Sequence, residues 1–176
     1  MKKILAIVLT GIAMLCAAAL AEGTGGIANP WTEVADMAAF TEATGIELAV
    51  PENAENVVLR VMNPEDGAVI GEMEFTLDGM AYTARTAYSG VADSIEDISG
   101  MYYEWEYVED TTVGSLDGMV AVIMQAADGD NTVEVVNWLD IAPGIVYSLS
   151  TVQPDVNGLD LTGIAEQIYI PMQGEA

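Results

Sequence analysis

The side chains that most enzymes use for nucleophilic or acid–base catalysis are scarce in this sequence. It has no histidine, and its two lysines, Lys2 and Lys3, and its single cysteine, Cys16, all lie within the first 21 residues. Those residues are typical of a secretory leader that is removed from the exported protein. The remaining chain therefore lacks a Ser-His or Cys-His system, a Ser-Lys dyad, a Schiff base, a P-loop and a thiolate metal site.

Carboxylates are the groups that could still support chemistry. Glycosidases use two carboxylates placed roughly 5–10 Å apart on either side of a sugar. With 28 acidic residues in the chain, two neighbouring carboxylates do not distinguish an active site from an acidic surface. Asp110-Thr111 is followed by Thr112 rather than by the glycine of an aspartic protease signature. We therefore expect a protein without enzymatic activity.

One acidic segment resembles the start of a calcium-binding loop. Asp128, Asp130 and Asn131 surround Gly129, but Val133 and Leu139 stand where an EF-hand requires glycine and glutamate. We expect no cofactor beyond weak binding of Ca2+ at Asp128, Asp130 and Asn131, and a solvated turn is the simpler interpretation. Two further acidic clusters are also interpreted either as weak cation sites or as solvated surface. The first comprises Asp93, Glu96 and Asp97, and the second comprises Glu104, Glu106, Glu109 and Asp110.

Aromatic side chains provide the other candidate site. Tyr103, Trp105 and Tyr107 alternate with Glu104 and Glu106, which predicts a strand over 101–108 with one aromatic face. An exposed row of this kind would bind a peptide or stack on a sugar. The alternative is that the row packs under a helix as part of the core.

The first 21 residues have the three parts of a signal peptide. A short basic start precedes an apolar run from Ile4 to Leu20, and small residues end it at Ala21. We expect cleavage after Ala21, a Gly-rich tether over 22–28 and one domain over 29–176, with no stable membrane span in the exported chain. An uncleaved anchor is the rival interpretation, and bulky Leu15 disfavours lipidation of Cys16. The expected location is secreted or in the cell envelope.

Composition limits the partners of the exported chain. Loss of residues 1–21 leaves Arg60 and Arg85 as its only basic residues, against 28 acidic ones. Clustered positive charge is needed to bind phosphates, so nucleic acid is excluded as a partner and anionic membranes should repel the protein. Without cysteine, no disulfide can form and the fold depends on its core. Apolar residues make up 52% of the sequence, which is typical of a folded chain rather than a disordered one.

Two helices are predicted, one near each end of the domain. The first begins with Thr32 as N-cap and ends at Gly45, and the second begins after Asp160. Short links between the intervening apolar segments favour antiparallel pairing. The sequence therefore predicts an α+β fold: a curved antiparallel sheet of about seven or eight strands with both helices packed on one face. The predicted strands include 46–50, 57–62, 101–108, 119–126, 132–139 and 145–152.

The most specific local prediction is a hairpin over residues 69–88. Asp78-Gly79 is a dipeptide of type I′ turns, and a two-residue turn sets the pairing of both flanking strands. Leu77 then faces Met80, and Glu72 faces Arg85 on the polar side. A cross-strand ion pair of this kind contributes roughly 0.2–1 kcal/mol.

The C-terminal third has a characteristic apolar spacing that ends in a predicted helix. Its residues are Trp138, Gly144, Tyr147-Ser148-Leu149-Ser150, Leu161 and Ile164-Ala165-Glu166-Gln167-Ile168. In these residues the segment of about 130–170 resembles the exported bacterial domain of unknown function numbered 4367. The resemblance implies an exported or membrane-tethered setting, and that family supplies no catalytic motif.

These patterns favour an exported, non-enzymatic domain that binds an extracytoplasmic protein, peptide or glycan. A carbohydrate-binding or carbohydrate-active protein is the second hypothesis, and it depends on the aromatic row and the carboxylates. A calcium-stabilised structural module is the third.

Overall fold

A computed structural model describes most of the predicted domain. The predicted signal peptide, the tether, Cys16 and Asp93 lie outside the described residues. Among the described residues, no helix is long and apolar enough to cross a membrane. The structure describes residues 30–64, 67–90, 95–114 and 119–171.

One open antiparallel sheet of eight strands forms the domain, with two helices, which confirms the predicted α+β fold. The strand order is β1-β2-β3-β4-β8-β7-β6-β5, so the chain builds one half of the sheet, crosses to the far edge, and returns to the middle. β8 thereby pairs with β4 at the centre, and β1 and β5 are the edges. The strands are β1 (Trp31–Val34), β2 (Glu55–Met62), β3 (Ile70–Leu77), β4 (Met80–Tyr88), β5 (Tyr107–Thr111), β6 (Met119–Asp128), β7 (Asn131–Asp140) and β8 (Ile145–Gln153), and the helices are α1 (Met37–Thr44) and α2 (Leu161–Ile168).

Both helices cover the same face of the sheet, here called the helix face. Phe40 of α1 and Ile164 of α2 join one apolar cluster with residues of β2, β3, β4, β6, β7 and β8. At its centre the rings of Trp138 and Tyr147 stack with centroids 5.0 Å apart. The Tyr169 hydroxyl donates to Asp140 Oδ2 at 2.6 Å, which connects the end of α2 to β7. Burial of these apolar and aromatic surfaces is the main favourable contribution to folding.

A segment without regular structure, residues 95–106, packs on the opposite face of the sheet, here called the strap face. Ile95 and Ile98 pack against the cluster of Ala87, Leu139 and Val146. Further along, Tyr103 and Trp105 pack against a second cluster that includes Met124, Val133 and Val135. The two faces are therefore covered by different kinds of structure.

The predicted β3–β4 hairpin is confirmed in its turn and its register. Leu77 pairs with Met80, Phe75 with Tyr82, and Glu72 with Arg85. Asp78 and Gly79 have φ values of 52° and 79°, and two consecutive positive φ angles define the type I′ turn.

The prediction of a helix start at Thr32 is wrong. Trp31–Val34 forms edge strand β1, paired with β2, and α1 begins later, after Asp36. The Asp36 side chain accepts a hydrogen bond from Ala39 N at 2.9 Å, which is the N-cap geometry. The predicted end at Gly45 is confirmed, with φ of 74°.

Two other strand predictions are wrong, one in whole and one over 101–106. Over 46–50 there is only one bridge, between Leu48 and Tyr169, although Ile46 and Leu48 are buried in the core. Over 101–108, regular pairing begins only at Tyr107. In both segments the alternation of apolar residues reflects packing against the sheet rather than membership of it.

A polar row crosses the strap face and centres on a buried glutamate. Glu72 Oε1 accepts from Arg60 Nη1 at 3.0 Å, and Glu72 Oε2 accepts from Arg85 Nε at 2.9 Å. The Glu72 side chain is only 4% exposed, so its negative charge is stabilised by the two arginines rather than by water. Arg60 also contacts Glu74 at 2.7 Å, and the hydrogen bonds to Glu74 and Glu72 raise the pKa of Arg60. The residues that face one another along the row are Glu33, Arg60, Glu72, Arg85, Ser148 and Asn137.

Arg85 connects this row to the strap segment. Its Nη1 donates to the carbonyl oxygens of Ile98 and Ser99 at 3.2 and 2.7 Å, and its guanidinium lies 5.1 Å from the Trp31 ring centroid. Gly100 has φ of 71°, and a Cβ at this position would collide with Arg85 Nη1. Glycine is therefore favoured where the strap passes over the arginine, because a side chain would displace the guanidinium and strain the left-handed backbone.

Glu72→Gln is expected to lower the free energy of unfolding by about 3 kcal/mol, because it removes the carboxylate that pairs with Arg85 and leaves Arg60 with the 42% exposed Glu74. Glu74→Gln is the matched control: it removes the same charge from a 42% exposed side chain, and we expect a loss below about 1 kcal/mol. Urea unfolding of the two variants measures both values. Equal losses would mean that Glu72 acts as an ordinary surface ion pair.

Candidate functional site

Tyr103 and Trp105, two of the three predicted ligand-binding residues, come together on the strap face. Their ring centroids are 5.9 Å apart, and both half-buried side chains lie against the cluster of Met124, Val133 and Val135. These apolar side chains of β6 and β7 need cover, and the two rings provide it. Tyr103 and Trp105 thus have a packing role, against the sheet rather than under a helix.

Tyr107, the third predicted residue, is directed to the other side of the sheet. It is the first residue of β5 and lies opposite Gln125, whose Nε2 donates to Glu134 on the helix face at 2.7 Å. Directly paired residues share a face. The predicted three-residue row is therefore divided where the strap segment joins β5, and Tyr107 is 42% exposed there.

The sequence analysis missed the most exposed aromatic side chain of this region. Tyr102 is 95% exposed and alternates with Tyr103 and Trp105, so it lies on the outer side of the strap with exposed Glu104 and Glu106. A tyrosine in phase with glutamates is a signal that the sequence does contain. The alternation over 103–107 predicts one aromatic face and one charged face, and Tyr102 falls on the charged face, where no ligand-binding aromatic residue is predicted.

The exposed residues of the strap continue onto the edge strand. In β5 the first four residues are exposed, and Val108 is 58% exposed. Within the described residues, β5 pairs only with β6. We call this continuous exposed region the 102–110 surface, and its exposed members are Tyr102, Glu104, Glu106, Tyr107, Val108, Glu109 and Asp110.

The predicted metal ligands form the turn between β6 and β7. Asp128 pairs with Asn131, and the two-residue turn contains Gly129 with φ of 62° and exposed Asp130. In the part of the chain that the structure describes, no three acidic side chains come close enough to hold a metal ion. Desolvation, together with the charge and hydrogen bond of Asp128, raises the pKa of the Tyr103 phenol. Asp128 therefore contacts the strap.

Two carboxylates of the second acidic cluster have structural partners. Asp97 Oδ1 accepts from Ser99 N at 2.9 Å and from Asn137 Nδ2 at 3.3 Å. Glu96 Oε2 accepts from Ser89 Oγ and Gly90 N, each at 3.3 Å. Both side chains help to fix the start of the strap segment.

A groove of about 540 Å³ lies on the helix face, between the β3–β4 turn and the start of α2. Leu77, Leu159 and Ile164 line its apolar part, and Asp155 and Asp160 lie at its polar side. Asp160 Oδ1 accepts from Gly163 N at 2.9 Å as the N-cap of α2, and Asp155 Oδ1 accepts from Asn157 N at 2.9 Å. These carboxylates therefore hold the local backbone, which accounts for their positions.

Several buried polar atoms have no hydrogen-bond partner among the described residues. Glu134 Oε2 is the only charged group of this kind, and burial raises the pKa of Glu134 although its hydrogen bond with Gln125 opposes the shift. Asn137 Oδ1 and Ser148 Oγ are also unpartnered, and they are neighbours beneath the strap. Ordered water commonly satisfies such atoms.

No known protein family, curated protein or solved structure significantly matches this chain.

Glu134→Gln is expected to remove a pH-dependent cost. A carboxyl whose pKa is raised by folding stabilises the protein below its ordinary value of 4.5, and that contribution is lost as pH rises through the folded-state pKa. The unfolding free energy of the variant minus that of the unsubstituted protein should therefore increase with pH above about 4.5. Urea unfolding between pH 4 and 8 measures it, with the exposed Glu42→Gln as control. A difference that does not vary with pH would contradict this account of Glu134.

Calcium and sodium at matched ionic strength are expected to raise the melting temperature equally. Both should act by screening the repulsion among carboxylates, because no three described acidic side chains converge. Thermal unfolding with Ca2+, Mg2+ and Na+ tests this. A calcium-specific shift that disappears in Asp128→Asn would instead support a metal site at the β6–β7 turn.

Proposed function

We propose that this protein is an exported, non-enzymatic domain that binds a basic segment of an extracytoplasmic protein through the 102–110 surface. The observation that carries the proposal is the exposure of Tyr102 on the same side of the strap as the exposed carboxylates Glu104 and Glu106. A 95% exposed tyrosine gains nothing from folding, since its ring remains in water. Tyrosine is among the residues that contribute most to protein–protein binding when a partner covers them.

The sign of the proposed partner's charge follows from the charge of the 102–110 surface. The exposed members of the 102–110 surface include four carboxylates and no basic side chain. Arg60 and Arg85 are both engaged on the polar row with Glu72, so neither neutralises this surface. A lysine- or arginine-rich segment is therefore complementary, and long-range attraction would speed its association at low ionic strength.

The carbohydrate and calcium hypotheses receive less support. Trp105 is half-buried against the cluster that includes Met124 and Val133, which leaves less of its ring free to stack on a sugar. Asp130 and Asn131 stand exposed on a two-residue hairpin turn, which accounts for both residues without a metal.

Binding of a synthetic peptide in which pairs of valines alternate with pairs of lysines tests the proposal, because this order gives each face of an extended strand both apolar and basic side chains. We expect Tyr102→Ala to weaken binding roughly tenfold, because a covered tyrosine is a typical binding hot spot. We expect Glu104→Gln with Glu106→Gln to weaken binding and to reduce its dependence on salt. Calorimetric titration at two salt concentrations measures both effects.

The control is Glu42→Gln with Glu47→Gln, which removes two exposed carboxylates near α1 and changes the net charge equally. If the control weakens binding as much as the Glu104 and Glu106 double variant, the peptide responds to overall charge and the proposed site is wrong. If the peptide does not bind at all, the proposed function itself is wrong.

A further inference from the structure

The 102–110 surface includes the open edge of the sheet. Antiparallel pairing with β6 uses alternate backbone groups of β5, and the others point away from the sheet. Four of the five β5 residues are exposed, and within the described part of the chain no other strand pairs with β5. An edge of this kind can accept an additional strand.

The side chains of β5 alternate between the two faces of the sheet. Tyr107 lies toward the helix face, opposite Gln125, and Val108 lies toward the strap face, opposite Met124. Glu109 and Asp110 repeat the alternation with carboxylates. An added strand would thus meet one apolar and one acidic position on each face, a pattern that selects side chains as well as backbone.

A second copy of this chain is a poor occupant of the edge. Antiparallel pairing of β5 with itself would bring Glu109 and Asp110 close to the same carboxylates of the other copy, and like charges on paired strands are destabilising. Charged edge strands commonly prevent such self-association. A strand with lysine or arginine at these positions would gain from the same charges.

From this arrangement we infer that the basic partner segment adds to the sheet as a ninth strand, antiparallel or parallel to β5, through main-chain hydrogen bonds. This inference rests on the proposed function, because it specifies how the same surface holds its partner. The segment is extended, spans about five residues, and presents apolar and basic side chains to the exposed β5 side chains. The exposed Tyr102 and Glu106 lie beside this edge in the chain and add contacts to its flank.

Backbone methylation of the lysine–valine peptide tests the binding mode. Two versions are compared, with identical side chains: one carries N-methyl groups on every odd-numbered residue, the other on every even-numbered residue. Only alternate N–H groups of an added strand point toward its neighbour. We expect one pattern to weaken binding roughly tenfold or more and the other to leave it within about twofold.

Amide hydrogen exchange of the full protein gives the second measurement. When the unmethylated peptide binds, protection from exchange should increase at alternate amides of β5. It should not increase at any amide of β1, the other edge strand. If both methylated peptides bind as well as the parent and β5 is not protected, strand addition is wrong while the proposed function stands. If the unmethylated peptide does not bind, the proposed function is wrong. Self-association that protects β5 without peptide would make a second copy the occupant and overturn the inference.

Discussion

A single buried carboxylate holds both arginines of the described chain and connects the sheet to the strap segment. Glu72 accepts from Arg60 on one oxygen and from Arg85 on the other, and so links β2, β3 and β4 on the strap face. Charges that leave water are costly unless they are paired and hydrogen-bonded. Here the pairing also holds the strap, because Arg85 donates to the carbonyl oxygens of Ile98 and Ser99. The segment that carries the exposed tyrosine is therefore fixed from inside the sheet.

This use of the arginines separates them from the exposed acidic side chains of the strap and of β5. Arg60 and Arg85 pair with Glu72 and Glu74, and among the described residues no ion pair joins an arginine to a carboxylate of the 102–110 surface. In the proposed function, the same charges would keep copies of the protein apart and attract a basic partner. Stability and the proposed recognition are thus connected, since both depend on where two arginines are placed.

The two faces of the sheet differ in what covers them. Apolar side chains of α1 and α2 close the helix face, whereas the strap face is closed by a segment without regular structure. In an irregular segment, alternation of exposed and half-buried side chains is maintained only by contacts with the sheet. Tyr103 and Trp105 face the sheet, so Tyr102, Glu104 and Glu106 face outward. The packing of the first two residues therefore creates the proposed binding surface from the other three.

Local interactions explain which features the sequence by itself determined. The Asp78-Gly79 turn set the β3–β4 register, Gly45 ended α1 with a positive φ, and Asp160 capped α2, because each depends on residues a few positions apart. Only the tertiary structure decided that Trp31–Val34 is a strand, that 46–50 and 101–106 are not, and that β8 lies beside β4. Strand pairing needs a partner distant in the sequence, and alternating apolar residues are equally compatible with a segment packed on a sheet. For the same reason the sequence identified Tyr103 and Trp105 but not Tyr102, whose exposure depends on which side of the strap the sheet lies.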